Sequence, residues 1–193
     1  PNTQYVLRVR FFPTAGLPVI SQIITPTTSC YLKDTLILCE DNRYKKISNL
    51  VVGEAIKTTE GIKKIKGIQK ILYNVKDTNP LHKIYKLSKS LKPELIDDLY
   101  ITGGHSILVD KLTEKEIDRM KKYYGDKIPQ IDNKYKLLAC IDERFEQVEF
   151  DEPIELYHLL LENENIDDEY AIWANGILSE SISERFYKYN NGI

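Results

Sequence analysis

Residues 30–38, Cys30-Tyr31-Leu32-Lys33-Asp34-Thr35-Leu36-Ile37-Leu38, place a cysteine directly after Thr25-Pro26-Thr27-Thr28-Ser29 and at the head of a strand-forming run. The chain changes character at this junction. Upstream, residues 13–29 carry Pro13, Gly16, Pro18 and Pro26, which favour extended and turn backbone, the composition of a linker. Downstream, apolar and β-branched side chains recur in short runs: Tyr31 to Leu38, Tyr44 to Ile47, Glu54 to Thr58, Ile62 to Tyr73 and Leu81 to Leu87. Leu99 to Asp110, Tyr135 to Ile141, Ile154 to Glu162 and Tyr170 to Ser179 continue the series, and Gly53, Gly61 and Asp41-Asn42 supply turns. An all-β fold is predicted from Cys30 onward.

One stretch breaks the pattern. Thr113 followed by Glu116 spells a capping box, Leu112 and Ile117 suit a hydrophobic staple, and Met120 and Tyr124 continue at helical spacing, so one surface helix is predicted near 113–124. Residues 2–12 alternate through Tyr5, Leu7, Val9 and Phe11 like a half-buried strand, and acidic Asn163 to Glu169 reads as a solvated hairpin loop. The segmentation is therefore an N-terminal strand and linker at 1–29, one domain at 30–182 and a C-terminal tail at 183–193.

Composition removes several classes of function. The 193 residues hold 27 Lys and Arg against 29 Asp and Glu, so no basic field attracts nucleic acid or an anionic membrane. No apolar run is long enough to span a bilayer, and no secretory h-region is visible. Three cysteines, at 30, 39 and 140, are too few and odd in number for a disulfide scaffold, which favours a reducing intracellular compartment or a virion over secretion. The bias to Lys, Ile, Asn and Tyr suits an AT-rich genome, viral or protist. Pro1 in place of Met suggests a fragment or a processed product.

Cysteine chemistry needs help from neighbours. A free thiol has a pKa of about 8.5, so a base must raise its reactivity at neutral pH. His158 is a candidate base, with an imidazole merely satisfied on a strand face as the equal alternative. Cys39 and Cys140 follow apolar runs and read as small core residues. No Cys-x-x-Cys or His-x3-His spacing supports zinc, and no cofactor is called for.

Three ordered blocks together resemble the Hint (hedgehog/intein-type) autoprocessing domains. The first is residues 30–57, with its cysteine, Asp34-Thr35, and Ile47, Leu50, Gly53, Glu54 and Ile56 at the family's spacing; Lys33 departs from a frequent Gly. The second is Thr102-Gly103-Gly104-His105 between apolar flanks, similar to the family's Thr-x-x-His block. The third, Tyr157-His158-Leu159 with Ala174-Asn175-Gly176 and Glu180-Ser181, looks like the ending of a bacterial and viral branch. The blocks cover Cys30 to Ser181.

The resemblance implies a horseshoe of short strands with a pseudo-twofold arrangement, and an N-to-S acyl shift at Ser29-Cys30. Cys30 would be the nucleophile, and His105 would protonate the departing amine. Thr102, with neighbouring amides, would hydrogen-bond the carbonyl or its oxyanion, and His158 would assist the thiol. The substrate would be the chain's own N-terminal segment, with water or a small nucleophile as acceptor. Splicing is disfavoured, because Asn190-Asn191-Gly192-Ile193 lacks the preceding His of an intein ending. Sterol transfer is disfavoured by how little follows Ile182. The competing reading is a catalytically silent Hint fold serving as a structural module, with residues 5–11 pairing to a protein partner.

Overall fold

The computed structural model describes residues 29–73 and 78–191. The strand expected at 5–11 and the linker at 13–28 lie outside the described residues. In chain order the strands are β1 (Tyr31–Leu32), β2 (Leu36–Leu38), β3 (Tyr44–Lys46), β4 (Ala55–Thr58), β5 (Gly61–Tyr73), β6 (Ile84–Leu87) and β7 (Leu99–Thr102). They continue as β8 (Ser106–Val109), β9 (Gln130–Ile131), β10 (Lys134–Leu138), β11 (Phe145–Val148), β12 (Ile154–Leu161), β13 (Ala171–Ala174) and β14 (Ile177–Glu180). The helices are α1 (Glu114–Tyr124) and α2 (Glu184–Asn191). The chain is mostly β, as the sequence pattern predicts.

All the strand pairs run antiparallel in one continuous hydrogen-bonded order, β11-β6-β7-β1-β12-β5-β4-β13-β14-β8-β10-β9, with β2 and β3 attached through β13. The 13-residue β5 joins the two halves of this order. Its start pairs with β4, and from Ile65 to Tyr73 it pairs with β12. From Ile65 onward it alternates, with Ile65, Gln69, Ile71 and Tyr73 inward and Lys66, Lys70 and Leu72 outward. β12 is buried continuously from Leu156 to Leu161, as befits a strand covered on both faces. The main core gathers Tyr31, Ile37, Ile56, Ile101, Leu159 and Ile172, and a smaller cluster gathers Cys30, Ile71, Tyr73, Ile84 and Leu156.

Several sequence expectations divide on closer view. The run from Tyr31 to Leu38 is broken at Lys33-Asp34, where Thr35 N donates to Leu32 O at 3.0 Å. Lys33 does not adopt a positive φ there, so this turn does not require the glycine that the family often carries. Leu99 to Asp110 is two strands, and Tyr170 to Ser179 is a hairpin whose turn is Asn175 (φ 47) and Gly176 (φ 96). Both turn residues are left-handed, as a two-residue hairpin loop demands. A Cβ on Gly176 would lie 2.6 Å from Glu94 O.

The α1 capping box is present: Thr113 Oγ1 accepts from Glu116 N at 3.2 Å, and Glu116 Oε2 accepts from Thr113 N at 2.7 Å. Such a cap is worth about 1 kcal/mol. Two expectations need correction. Asn163 to Glu169 is not a hairpin loop, because β12 pairs with β1 and β5 whereas β13 pairs with β2, β4 and β14. The second is the single helix expected near 113–124: a further one, α2, forms within the C-terminal tail. Ser183 Oγ accepts from Phe186 N, and Glu184 makes ion pairs with Lys66 and Lys188 that fix the first turn.

Candidate active site

Strand register alone assembles the first three residues. Tyr31 is paired with Tyr157 on β12 and with Ile101 on β7, so one step back along β1 sets Cys30 between His158 and Thr102. The backbone confirms the step: Thr102 N donates to Cys30 O at 3.0 Å. Cys30 N donates to Thr102 Oγ1 at 2.9 Å, and Cys30 Sγ lies 3.2 Å from His158 Nε2. The Thr102 hydroxyl therefore holds the Cys30 amide nitrogen, since β7 runs alongside the Cys30 backbone and presents that hydroxyl to its N–H.

His105 enters from the turn between β7 and β8. Its Nδ1 lies 3.1 Å from Ser29 Oγ and its Nε2 2.8 Å from Ser179 Oγ. The turn is tight. A Cβ on Gly103 would sit 2.1 Å from Pro80 O and 2.7 Å from the Tyr85 ring, so only glycine lets the backbone pass. Tyr31 packs its ring edge on His105, with centroids 4.1 Å apart. Ser29, Cys30, Thr102, His105 and His158 thus converge on one junction, and all are buried.

Three further residues belong to the cluster although their side chains were given no role from sequence. Glu180 Oε1 accepts from Ser29 Oγ at 2.9 Å and from Ser106 N at 2.9 Å. Its other oxygen is 2.5 Å from Lys136 Nζ, which also reaches Glu169 at 2.6 Å. Ser179 Oγ donates to Ser106 O at 2.8 Å. The one available signal was Lys136 inside the strand Lys134–Leu138, where a cation on an otherwise burying strand needs a partner. Cys39 and Cys140, half-buried, pack at the edge of the main core.

Burial dominates the electrostatics. Desolvation pushes the Cys30 thiol well above its ordinary range. It lowers His158 to about 3, with His105 adding to the fall and the Ser29 backbone and Glu180 opposing it. His105 drops to about 4 for the same reason, with Glu180 pulling up, Lys136 pulling down and the Ser29 backbone pulling up. Desolvation would also raise Glu180, but Lys136 and His105 outweigh it and hold the carboxyl below its usual value. The resting site is therefore a neutral thiol and two neutral imidazoles beside a buried carboxylate–ammonium pair. The Ser29 backbone favours the charged form of both imidazoles.

No protein-family model matches the chain, and no curated protein does. Solved structures similar to it include the gp41-1 intein, at 15% identity and TM-score 0.41, over 78% of this chain and 96% of that one. The MchDnaB-1 intein is similar at 8% identity and TM-score 0.43, over 78% and 98%. An intein-like domain from Clostridium thermocellum is similar at 11% identity and TM-score 0.47, over 80% and 98%.

Proposed function

We propose that the chain is a Hint-type autoprocessing domain that converts the Ser29-Cys30 amide into a thioester and then releases or transfers the segment ending at Ser29. The observation that carries this reading is the double grip on Cys30: its N–H on Thr102 Oγ1 and its thiol against His158 Nε2. Attack by Sγ on the Ser29 carbonyl forms the C–S bond while the thiol proton passes to His158 Nε2. Oxyanion charge then develops in the buried junction that His105 and His158 share with Ser29 and Cys30, where a donor N–H is worth most because water is excluded.

Collapse breaks the C–N bond, and the Cys30 nitrogen, held by Thr102, takes up one proton from His105, which is charged in turn by the proton that His158 took from the thiol. The shift is proton-neutral overall, since the thiol loses what the amine gains. An α-amine has a pKa of about 7.7–8.0, so protonation of the new amine draws the equilibrium toward thioester as pH falls below that value. Water or a small nucleophile then accepts the acyl group.

The full chain incubated with and without dithiothreitol or hydroxylamine, then weighed, tests the reading. Release of a fragment ending at Ser29, abolished by Cys30→Ala and much slowed by His105→Ala, is the expected result. One observation favours the competing reading of a silent structural module: the nucleophile and both bases rest fully buried and uncharged. An intact mass under every condition would establish that alternative.

A further inference from the structure

Glu180 is 2% exposed, Lys136 8% and Ser29 8%, so the Ser29 side chain is enclosed against a buried charge pair. We propose, resting on the function just described, that Glu180 balanced by Lys136 is the specificity-determining residue for position 29, selecting a small hydroxyl side chain on the residue that carries the scissile carbonyl. Other side chains fit this enclosure badly. Alanine leaves Glu180 Oε1 short of a donor, an acid sets a second carboxylate against it, and a bulky residue has no room in a nine-tenths buried position.

Proton counting along the network shows what the hydroxyl adds. Ser179 gives its only hydroxyl proton to Ser106 O, so it accepts from His105 Nε2–H. If Ser29 gives its only hydroxyl proton to Glu180 Oε1, it must accept from His105 Nδ1–H. Every bond in the chain is then satisfied only when His105 carries both protons, the form that can protonate the departing amine. Ser29 thereby connects the Glu180 charge to His105, and Glu180 acts on the reaction through the substrate's own side chain. The groups facing His105 are Glu180 from β14, Lys136 from β10, His158 from β12, Tyr31 from β1 and the Ser29 backbone. Of these only Glu180 is anionic.

The test is a double-mutant cycle on the full chain, reading hydroxylamine-induced cleavage at Ser29-Cys30 across pH 5 to 9, with unfolding midpoints measured alongside. Ser29→Ala, which adds no bulk, is expected to slow cleavage by about ten- to a hundredfold, the worth of a hydrogen bond to a charged group. Glu180→Gln is expected to slow it comparably and to move the His105-dependent limb of the pH profile to lower pH. The double variant is expected to be little slower than either single one. Additive losses, or a Ser29→Ala chain that cleaves at the parent rate with an unmoved profile, would overturn the inference while leaving the function standing. A parent chain that never cleaves would instead overturn the function, and the inference with it.

Discussion

Cys30 Sγ lies 3.2 Å from His158 Nε2, while the opposite nitrogen of that ring, Nδ1, is buried without a hydrogen-bond partner among the described residues. Burial disfavours both charged forms, and no partner on Nδ1 offsets the charge of an imidazolium, so the pair rests as thiol and neutral imidazole rather than as an ion pair. Native Cys30 is accordingly expected to resist alkylation. With iodoacetamide at pH 7.5 and peptide mass readout, Cys39 should label at least about tenfold faster than Cys30, and the difference should vanish in denaturant. Preferential labelling of native Cys30 would show an activated thiolate and contradict the neutral resting state.

The same burial gives stability a pH dependence of definite sign. His105 and His158 titrate near 6.5 when unfolded and are lowered to about 4 and about 3 in the fold. The unfolded state therefore binds more protons between those values. Their contribution is complete above pH 6.5 and is lost as pH falls toward 4, at about 1.4 kcal/mol per pH unit for each histidine. Urea melts of parent and His158→Gln between pH 4.5 and 7.5 check this. The variant should lose about one proton's worth of slope, even though depressed carboxylates add their own acid sensitivity to both proteins.

What could be read from sequence follows from the range of the interactions involved. The Thr113/Glu116 cap lies within one helical turn, so local residue types specify it; the Asn175-Gly176 turn is just as local but goes unread inside the single run Tyr170 to Ser179. The clustering of Cys30, Thr102, His105 and His158 was legible only as three blocks in order, because their juxtaposition depends on β1 being inserted between β7 and β12. Glu180 stood in the third block without a role, and Lys136 carried only the signal of a cation on a burying strand. Their pairing joins β14 to β10 through β8, and no periodicity within either strand records a partner across a third. The helix Glu184–Asn191 did carry a local signal, Ser183 before an acidic first turn with Lys188 in the last, but its short length let the polar Asn190-Asn191-Gly192 ending suggest a loose tail.

Gly103 is the most exacting position of the His105 turn. Adding one methyl would drive a Cβ to 2.1 Å from Pro80 O, a backbone atom with little freedom to move, and against the Tyr85 ring. Gly103→Ala is expected to destabilise the fold by about 2–3 kcal/mol, as overpacking typically does, and to shift His105 away from Ser29. Thermal unfolding and the hydroxylamine assay should therefore fall together. Gly125→Ala, where a Cβ meets nothing within 4 Å but the backbone has φ 68, controls for loss of stability away from the site: it should lower the unfolding midpoint and leave cleavage unchanged.

Lys136 and Glu180 offer the sharpest separation of charge from shape. Their side chains are 10% and 3% exposed and meet at 2.5 Å, so removing the cation strands a carboxylate in the interior. Lys136→Met is expected to cost about 3–5 kcal/mol at pH 7. Lys136 also pairs with the less buried Glu169, so adding Glu180→Gln removes the more buried of the two stranded charges and should recover part of that loss, a recovery that simple damage to packing would not allow. The pH dependence supplies an independent sign. In the parent, the Glu180 pKa is lowered in the fold, so its contribution is lost as pH falls through the folded value. In Lys136→Met the unpaired carboxyl would titrate above its unfolded value, so acidification would protonate it in the fold first and restore stability. The gap between parent and Lys136→Met should therefore narrow steadily from pH 7.5 to 5 in urea melts. A constant gap would mean that Lys136 supports the strand by packing and not by charge.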